Sequence, residues 1–206
     1  MVPPLILASG SPRRQALLSR AGLSFEVFLA AVTESSSRAF SMRELTTWNA
    51  ARKAIAVARR RRNAVVLGAD TLVSLNGEAI GKPADLVEAA NILRRLSGCE
   101  HQVCTAVVLC SRHRSPLSFC VLSHVRFRVL NEGQIAAYLA TVNPLDKAGA
   151  YAAQGDRRKI IARIRGSYTN VVGLPMDETL RALRIFGITA SASAPHLQKR
   201  ASLQQH

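Results

Sequence analysis

The first residues with evident chemistry lie near the amino terminus, where Ser9-Gly10-Ser11-Pro12-Arg13-Arg14 follows a short apolar run. Ser11 and Pro12 are typical of the first positions of a helix. The opening turn of a helix leaves backbone N–H groups unpaired, and these groups attract anions. Arg13 and Arg14 in that turn oppose the helix dipole, and a bound phosphate would reverse the penalty. The spacing is compatible with a phosphate site, and equally with two solvated arginines on a surface helix.

A carboxylate stands inside the most apolar run of the chain, because Asp70 follows Gly68 and Ala69 in the segment 65–73. Such a carboxylate is costly unless it is paired, bound to a metal or placed at the edge of a cleft. The two small residues before it leave space for a ligand. Asp70 is therefore a candidate general base or metal ligand. The alternative is a structural ion pair with a nearby arginine.

Two lysines and a glutamine extend this set of candidates. Lys82, in Gly81-Lys82-Pro83, can reach a phosphate as a point charge, and Lys53 on a predicted helix can do the same. Either lysine can also be a plain solvated side chain. Gln154 lies in a long stretch without predicted structure, residues 143–155, and offers the donor and the acceptor that recognition of a base edge requires. The alternative there is a plain connecting loop.

Several common sites are excluded by their missing motifs. The sequence has no Gly-x-x-x-x-Gly-Lys-[Ser/Thr] loop, no Gly-x-Gly-x-x-Gly fingerprint, no His-Glu-x-x-His helix and no Gly-x-Ser-x-Gly elbow. The four cysteines form no Cys-x-x-Cys pair and have no His-rich tract beside them. We therefore expect neither a zinc site nor a disulfide framework.

The elements that must position these residues follow from apolar runs and capping signals. Apolar runs predict strands at 5–8, 25–29, 65–75, 78–80, 103–110, 117–130 and 159–164, with 171–172 as a further candidate. Caps and helical spacing predict helices at 12–21, 42–62, 86–96, 132–139 and 175–187. Asn76-Gly77 predicts a hairpin turn. Because strands and helices interleave while two strand pairs resemble hairpins, we predict an α/β fold with a mixed sheet.

Length and composition bound the class of protein. The 206 residues suit one domain or two small lobes that share a cleft, and 48% apolar residues exclude a disordered chain. We predict one domain over residues 1–189 and a disordered tail over 190–206, which is rich in Ala, Ser and Gln. No apolar run approaches the roughly 20 residues of a spanning helix, and the first residues do not resemble a signal peptide. These features predict a cytoplasmic protein.

The charge favours an anionic partner. The chain carries 28 Lys plus Arg against 13 Asp plus Glu, a formal net charge of +15. This balance suits nucleic acid, a membrane surface or a phosphorylated small molecule, and does not choose among them. The basic run 59–62 lies at the carboxyl end of a predicted helix, where the helix dipole by itself favours cations. One Trp and three Tyr offer little stacking surface for single strands.

Taken together, five ordered blocks closely resemble the Maf family of nucleotide pyrophosphatases, the septum-formation-inhibitor-like proteins. The resemblance runs from about Leu5 to Phe186. Any one block would be weak, but five in order are highly specific. The blocks are Leu7-Ala8-Ser9-Gly10-Ser11-Pro12-Arg13-Arg14, Gly68-Ala69-Asp70-Thr71, Gly81-Lys82-Pro83, Asp146-Lys147-Ala148-Gly149-Ala150-Tyr151 with Gln154-Gly155, and the run from Gly166 to Pro175.

The resemblance implies a fold like that of inosine triphosphate pyrophosphatases, with two lobes around a central cleft and a long mixed sheet. It implies hydrolysis of nucleoside triphosphates to monophosphate and pyrophosphate with a divalent cation, Mg²⁺ or Mn²⁺. Asp70 would accept the proton, and Glu34 and Asp70 would hold the metal. The positions implied to bind substrate or choose the base are Ser9, Arg13, Arg14, Lys53, Thr71, Lys82 and Gln154. Asp70-Thr71 with Gln154 resembles the subgroup acting on dTTP and UTP, a nucleotide-pool housekeeping role; a sister subgroup prefers 7-methyl-GTP.

Two acids that the family usually has are replaced. Thr33 stands where the family usually has Asp, and Asn143 where it often has Glu. Their loss is expected to weaken or rebuild the metal site without changing the class of enzyme. The alternative is a weakly active or inactive regulator of cell division, or a nucleic-acid-binding protein on the same scaffold. The expected partners are a nucleoside triphosphate and a second copy of the chain in a homodimer, with no membrane and no nucleic acid.

Overall fold

The computed structural model describes residues 2–29, 31–37, 39–155 and 159–190. The predicted disordered tail, 190–206, lies outside this part of the chain except for its first residue. No helix among the described residues is both long and apolar enough to span a membrane.

A seven-stranded sheet organises the molecule. Its strands are β1 (Leu5–Leu7), β2 (Glu26–Val27), β3 (Val65–Leu75), β4 (Glu78–Ile80), β5 (Glu100–Cys110), β6 (Leu117–Phe127) and β7 (Ile161–Arg165). The order is β2-β1-β3-β5-β6-β7, and β4 pairs with β3. β1 runs parallel to β2 and β3, whereas the other pairs are antiparallel. The predicted α/β class with a mixed sheet is confirmed.

Six α-helices within the described part of the chain flank the sheet. They are α1 (Pro12–Arg20), α2 (Met42–Ala58), α3 (Leu86–Leu96), α4 (Glu132–Leu139), α5 (Tyr168–Val172) and α6 (Met176–Ile185). Side chains cap the ends as the sequence indicates: Ser11 accepts from the Arg14 amide, and Ser41 with Glu44 forms a capping box. The hairpin turn is confirmed too, since Asn76 and Gly77 both have the positive φ that a tight β3–β4 connection requires.

Some predicted elements are wrong in type. Residues 171–172 are not a strand but the end of α5, because Ser167 caps that helix through the Asn170 amide. The loop 143–155 is not structureless, since Ala148–Ala150 forms a 3-10 turn. Both segments depend on tertiary contacts, which override weak local preferences.

Other predicted elements are wrong only in their ends. α2 ends at Ala58 instead of 62, because the amides of Arg60 and Arg61 both turn back to the Val57 carbonyl and the chain must return to β3. β2 covers only 26–27 of 25–29, β5 begins at 100 instead of 103, β6 ends at 127 instead of 130, and β7 covers 161–165 instead of 159–164. Pro175 is the cap of α6 and not its first residue.

The two faces of the sheet have different cores. One face packs the large side chains of α1, α3, α4 and α6 into the main core, for example Leu18, Leu93 and Leu183. The other face holds a smaller core under α2, made of small residues such as Ala50 and Ala54. Small residues on both surfaces let the helix backbone approach the sheet closely. α2 is thereby held at a fixed height above β3.

Gly68→Ala should test this close approach. A Cβ at Gly68 would lie 2.4 Å from the Ala50 carbonyl oxygen and 2.8 Å from the Ala54 amide nitrogen. Both are backbone atoms, so α2 itself must move. We expect the free energy of unfolding in urea to fall by about 3 kcal/mol, as for severe overpacking.

Gly133→Ala serves as the matched control for this substitution. Its Cβ would come no closer than 3.5 Å to a neighbour, the Asn131 side chain, inside α4. Alanine there should stabilise the protein by about 0.5–1 kcal/mol. Equal effects of the two substitutions would show that α2 does not rest on Gly68.

Candidate active site

A cavity of about 1120 Å³ opens where the β1–α1 junction, the segment 31–37, α2 and β3 meet. Eight of the nine site residues predicted from the sequence line it. They are Ser9, Arg13, Arg14, Glu34, Lys53, Asp70, Thr71 and Lys82. The ninth, Gln154, follows the wall residues Ala152 and Ala153 but is not itself a lining residue. Positions as far as 159 residues apart are thus brought into one place, as the Arg14–Gly173 contact shows.

A lysine joins two carboxylates at the centre of the cavity. Lys53 Nζ lies 2.7 Å from Asp70 Oδ1 and 2.6 Å from Glu34 Oε1. Asp70 is only 5% exposed, while Glu34 belongs to the exposed segment 31–37. Lys82 Nζ approaches Glu34 from the other side at 3.7 Å. Asp70 is therefore paired, as a carboxylate inside an apolar strand must be, but with lysine instead of arginine.

Asn49, which the sequence reasoning missed, connects the same two elements. Its Oδ1 accepts the Ser35 amide at 2.8 Å, and its Nδ2 donates to the Ser35 carbonyl at 3.1 Å. Nδ2 also lies 3.4 Å from Asp70 Oδ2. Asn49 thus ties the segment that carries Glu34 to the strand that carries Asp70. A signal was available, because an asparagine four residues before Lys53 shares its face of a helix.

Arg14 is buried, so it is not one of two solvated arginines. Its Nε donates to the Gly173 carbonyl at 2.9 Å, and its Nη1 and Nη2 donate to Ser9 Oγ at 2.8 Å and Thr71 Oγ1 at 3.0 Å. Burial lowers the pKa of this guanidinium, although the charge of Asp70 opposes the shift. Arginine remains charged even so. The cavity therefore has a fixed positive charge in its wall, held by neutral oxygens.

Arg13 lies at the rim and is paired with an acid. Its Nη1 donates to Asp146 Oδ2 at 2.9 Å, and Asp146 also contacts the Lys147 ammonium. Burial would raise the pKa of Asp146, but the hydrogen bonds from Lys147 and Arg13 outweigh it and hold that pKa below its usual value. The predicted loop 143–155 thus contributes a charged edge of the cavity.

The electrostatics of Glu34 come from the cations around it. Burial would raise its pKa, but the hydrogen bond and charge of Lys53, with the charges of Lys82 and Arg14, lower it. Glu34 therefore stays ionised below the pH at which an ordinary glutamate takes up a proton. Two carboxyl groups and several cations face the same space, which suits a substrate that carries phosphates and a divalent metal.

The donor set fits a magnesium-like ion that shares its ligands with a substrate. Among the described residues no group of three His, Cys, Asp or Glu side chains could hold a metal by itself. Mg²⁺ is usually bound through one or two carboxylates together with substrate phosphates. Glu34 and Asp70 supply two carboxylates whose oxygens converge on one point, now taken by Lys53 Nζ.

The two residues that stand in place of the family's usual acids do not line this cavity. Thr33 is exposed and is not a lining residue. Asn143 caps a turn, because its Oδ1 accepts the Leu145 amide and its carbonyl oxygen accepts from Lys147. The expected weakening of the metal site stays a prediction.

Comparison with known proteins agrees with the family resemblance of the five sequence blocks. Residues 4–186 match the family model described as Maf-like protein. The chain is 44% identical to a dTTP/UTP pyrophosphatase of Akkermansia muciniphila, over 92% of this chain and all of the relative. It is 49% identical to a dTTP/UTP pyrophosphatase of Symbiobacterium thermophilum, over 89% of this chain and 94% of the relative. A solved structure, a nucleoside-triphosphatase / dITP/XTP pyrophosphatase from Mycobacterium abscessus, covers 88% of this chain and 93% of its own at 13% identity, with a TM-score of 0.41.

Proposed function

The chain belongs to the Maf-like protein family, and on that premise we propose that it hydrolyses dTTP and UTP to the monophosphate and pyrophosphate. One observation supports this most strongly: the buried Asp70 faces a large cavity whose other charged side chains suit a triphosphate. The role is that of a nucleotide-pool housekeeping enzyme.

The cations of the cavity would bind and orient the triphosphate. Arg14 is fixed by three hydrogen bonds and presents its charge without reorganisation, as efficient charge stabilisation requires. Arg13 is ion-paired to Asp146, Lys53 to both Glu34 and Asp70, and Lys82 to Glu34. Incoming phosphates can share these cations, so positioning and charge stabilisation supply most of the catalysis.

Asp70 would accept the proton of the attacking water. Lys53 and Asn49 hold its two oxygens in place, so the carboxylate needs no rearrangement before it acts. Glu34 and Asp70 would hold Mg²⁺ or Mn²⁺, which when bound neutralises charge at the phosphate. Ser9 and Thr71 would act through Arg14, because both accept its hydrogen bonds.

The choice of the base would fall to Arg13, Thr71 and Gln154. Arg13 and Thr71 line the cavity, and Gln154 lies next to the wall at Ala153. We assign Gln154 to base recognition, because its amide offers both the donor and the acceptor that a base edge requires. We also propose that the reaction takes place in the cytoplasm, where nucleoside triphosphates are used. The enzyme would act as a homodimer, without membrane or nucleic-acid partners.

A nucleotide panel tests the proposed substrate. With Mg²⁺ or Mn²⁺, kcat/KM for dTTP and UTP should exceed that for CTP and 7-methyl-GTP by about tenfold or more. The reason is that a wrong base leaves buried polar groups of the site without hydrogen-bond partners. Phosphate should appear only after inorganic pyrophosphatase is added, which shows that pyrophosphate is the product. Asp70→Asn protein, purified in parallel, controls for contaminating hydrolases.

Two outcomes of the panel would change the assignment. A preference for 7-methyl-GTP would keep the reaction and move the chain to the other subgroup. No pyrophosphate from any nucleotide, together with salt-dependent DNA binding, would favour the regulator or nucleic-acid-binding alternative.

Asn49→Leu should lower kcat for dTTP by about 10- to 100-fold, because it removes buried hydrogen bonds worth about 1–3 kcal/mol that tie Ser35 to the neighbourhood of Asp70. KM should change by less than about threefold, since no phosphate-binding cation is altered. Steady-state kinetics on folded protein measures both constants. The matched control is Asn91→Leu on α3, where an exposed asparagine bonds Arg94 far from the cavity. A rise in KM with unchanged kcat would contradict a positioning role.

A further inference from the structure

Two of the four cysteines touch each other on neighbouring strands. Cys104 on β5 and Cys120 on β6 have their sulfur atoms 2.7 Å apart. Cys120 pairs with Ala106, which lies two residues from Cys104, so both side chains point to the same face of the sheet. That face is covered by α2. A covalent S–S bond of about 2.05 Å is therefore within reach of a small movement.

The surroundings give the two thiols different characters. The Thr46 hydroxyl donates to the Met42 carbonyl at 2.7 Å and lies 3.5 Å from the Cys104 sulfur. The hydrogen bond to Cys120, together with burial, raises the pKa of Cys104. The same hydrogen bond lowers the pKa of Cys120 to about 7, with help from Arg43. Cys120 is half-buried, whereas Cys104 is fully buried.

We propose that Cys104 and Cys120 form a reversible intramolecular disulfide when the protein meets hydrogen peroxide. The Cys120 thiolate attacks one peroxide oxygen, the O–O bond breaks, and hydroxide leaves to take up a proton as water. The resulting sulfenic acid is attacked by the Cys104 sulfur; the S–S bond forms, the S–O bond breaks, and the thiol proton leaves with the oxygen as a second water. Two electrons pass from the two sulfurs to the peroxide.

The disulfide should protect the sheet beside the cavity without stopping the enzyme. Asp70 on β3 pairs with Ala106 on β5, and Ala106 pairs with Cys120 on β6, so an irreversibly oxidised Cys120 would put charge two strands away from Asp70, on the same face of the sheet. A neighbouring thiol diverts the sulfenic acid before it reaches the sulfinic state. Lys53 and Asn49 bind Asp70 without using either sulfur, so their contacts survive the bond.

Peroxide treatment of the folded full chain tests the pair. After the reaction is quenched, the denatured protein should show two alkylatable thiols instead of four, and before alkylation a mass lower by two hydrogen atoms. Peptide mapping should join Cys104 to Cys120, and dithiothreitol should restore all thiols. Pyrophosphatase activity should change by less than about twofold, because the contacts that hold Asp70 come from Lys53 and Asn49 and involve neither sulfur.

Three variants decide the outcome. Cys120→Ser should form no disulfide, and Cys104→Ser should accumulate a dimedone-reactive sulfenic acid at Cys120. The matched control Cys110→Ser, a buried thiol at the other end of β5, should still form the bond. Unchanged thiols in the wild-type protein at a peroxide dose that modifies Cys120 in Cys104→Ser would overturn the proposal, as would a bond to Cys99. If Cys104→Ser does not fold, the wild-type and Cys120→Ser proteins still give the decision.

Discussion

Replacing Asp70 by asparagine is expected to lower kcat for dTTP by about 10²- to 10⁴-fold, the usual contribution of a positioned general base. The amide cannot take the proton of the attacking water and is a poorer metal ligand. The fold should persist, because asparagine has nearly the same shape and its amide oxygen can still accept a hydrogen bond from Lys53. The loss is measured in single-turnover hydrolysis of dTTP, with pyrophosphate release as the observed signal.

The control for this variant is the same substitution at an acid outside the cavity. Asp177 lies exposed in the first turn of α6, so Asp177→Asn should retain wild-type kcat. Circular dichroism and urea unfolding must show that Asp70→Asn is folded before its rate is interpreted. Full activity in folded Asp70→Asn protein would assign the base to another residue.

The site could largely be predicted from the sequence because its residues stand in short blocks with fixed local structure. Ser11 and Pro12 predict the helix start that carries Arg13 and Arg14, and the apolar run with Gly68 and Ala69 predicts the strand that carries the buried Asp70. The strands of 11 residues have strong apolar patterns, and for that reason they were correctly predicted as members of the sheet. The resemblance supplied the rest, since no spacing rule brings Glu34 to Lys53.

What failed in prediction depends on contacts between distant segments. The pair Val171–Val172 has strand-forming side chains, yet the Ser167 cap and the burial of both residues place them in a helix. Asn49 was overlooked because its spacing to Lys53 indicates only a shared helix face and not the residues that it bonds. Its role appears only when Ser35 and Asp70 approach it from 14 and 21 residues away.

The net charge of +15 pointed at first only to an anionic partner. In the structure, the cations that make up this charge have different environments and different roles. Arg14 is buried and fixed by neutral oxygens, whereas the run 59–62 is exposed beyond the end of α2. Only the first kind is built into a site. The exposed arginines can at most steer an anionic substrate toward the cavity.

Lys53→Met should have the second large effect, a fall in kcat/KM for dTTP of about 10²-fold or more, because it removes a preorganised charge from the centre of the cavity. Methionine keeps the length of the side chain and so the packing of α2. Glu34 and Asp70 then lose the cation that lies 2.6 and 2.7 Å from them. Lys159→Met, at an exposed lysine that does not line the cavity, should leave the rate unchanged.

The pH dependence of Lys53→Met distinguishes an electrostatic role from a merely structural one. In the wild-type protein the pKa of Glu34 is lowered, because Lys53 and its neighbours outweigh the effect of burial. Glu34 therefore stays ionised as pH falls, and the acid limb of the rate profile lies at low pH. Without Lys53 the effect of burial is less opposed, so the pKa of Glu34 rises and the acid limb must move to higher pH. A lowered rate with the acid limb in its wild-type position would mean that Lys53 binds phosphate without controlling the ionisation of Glu34.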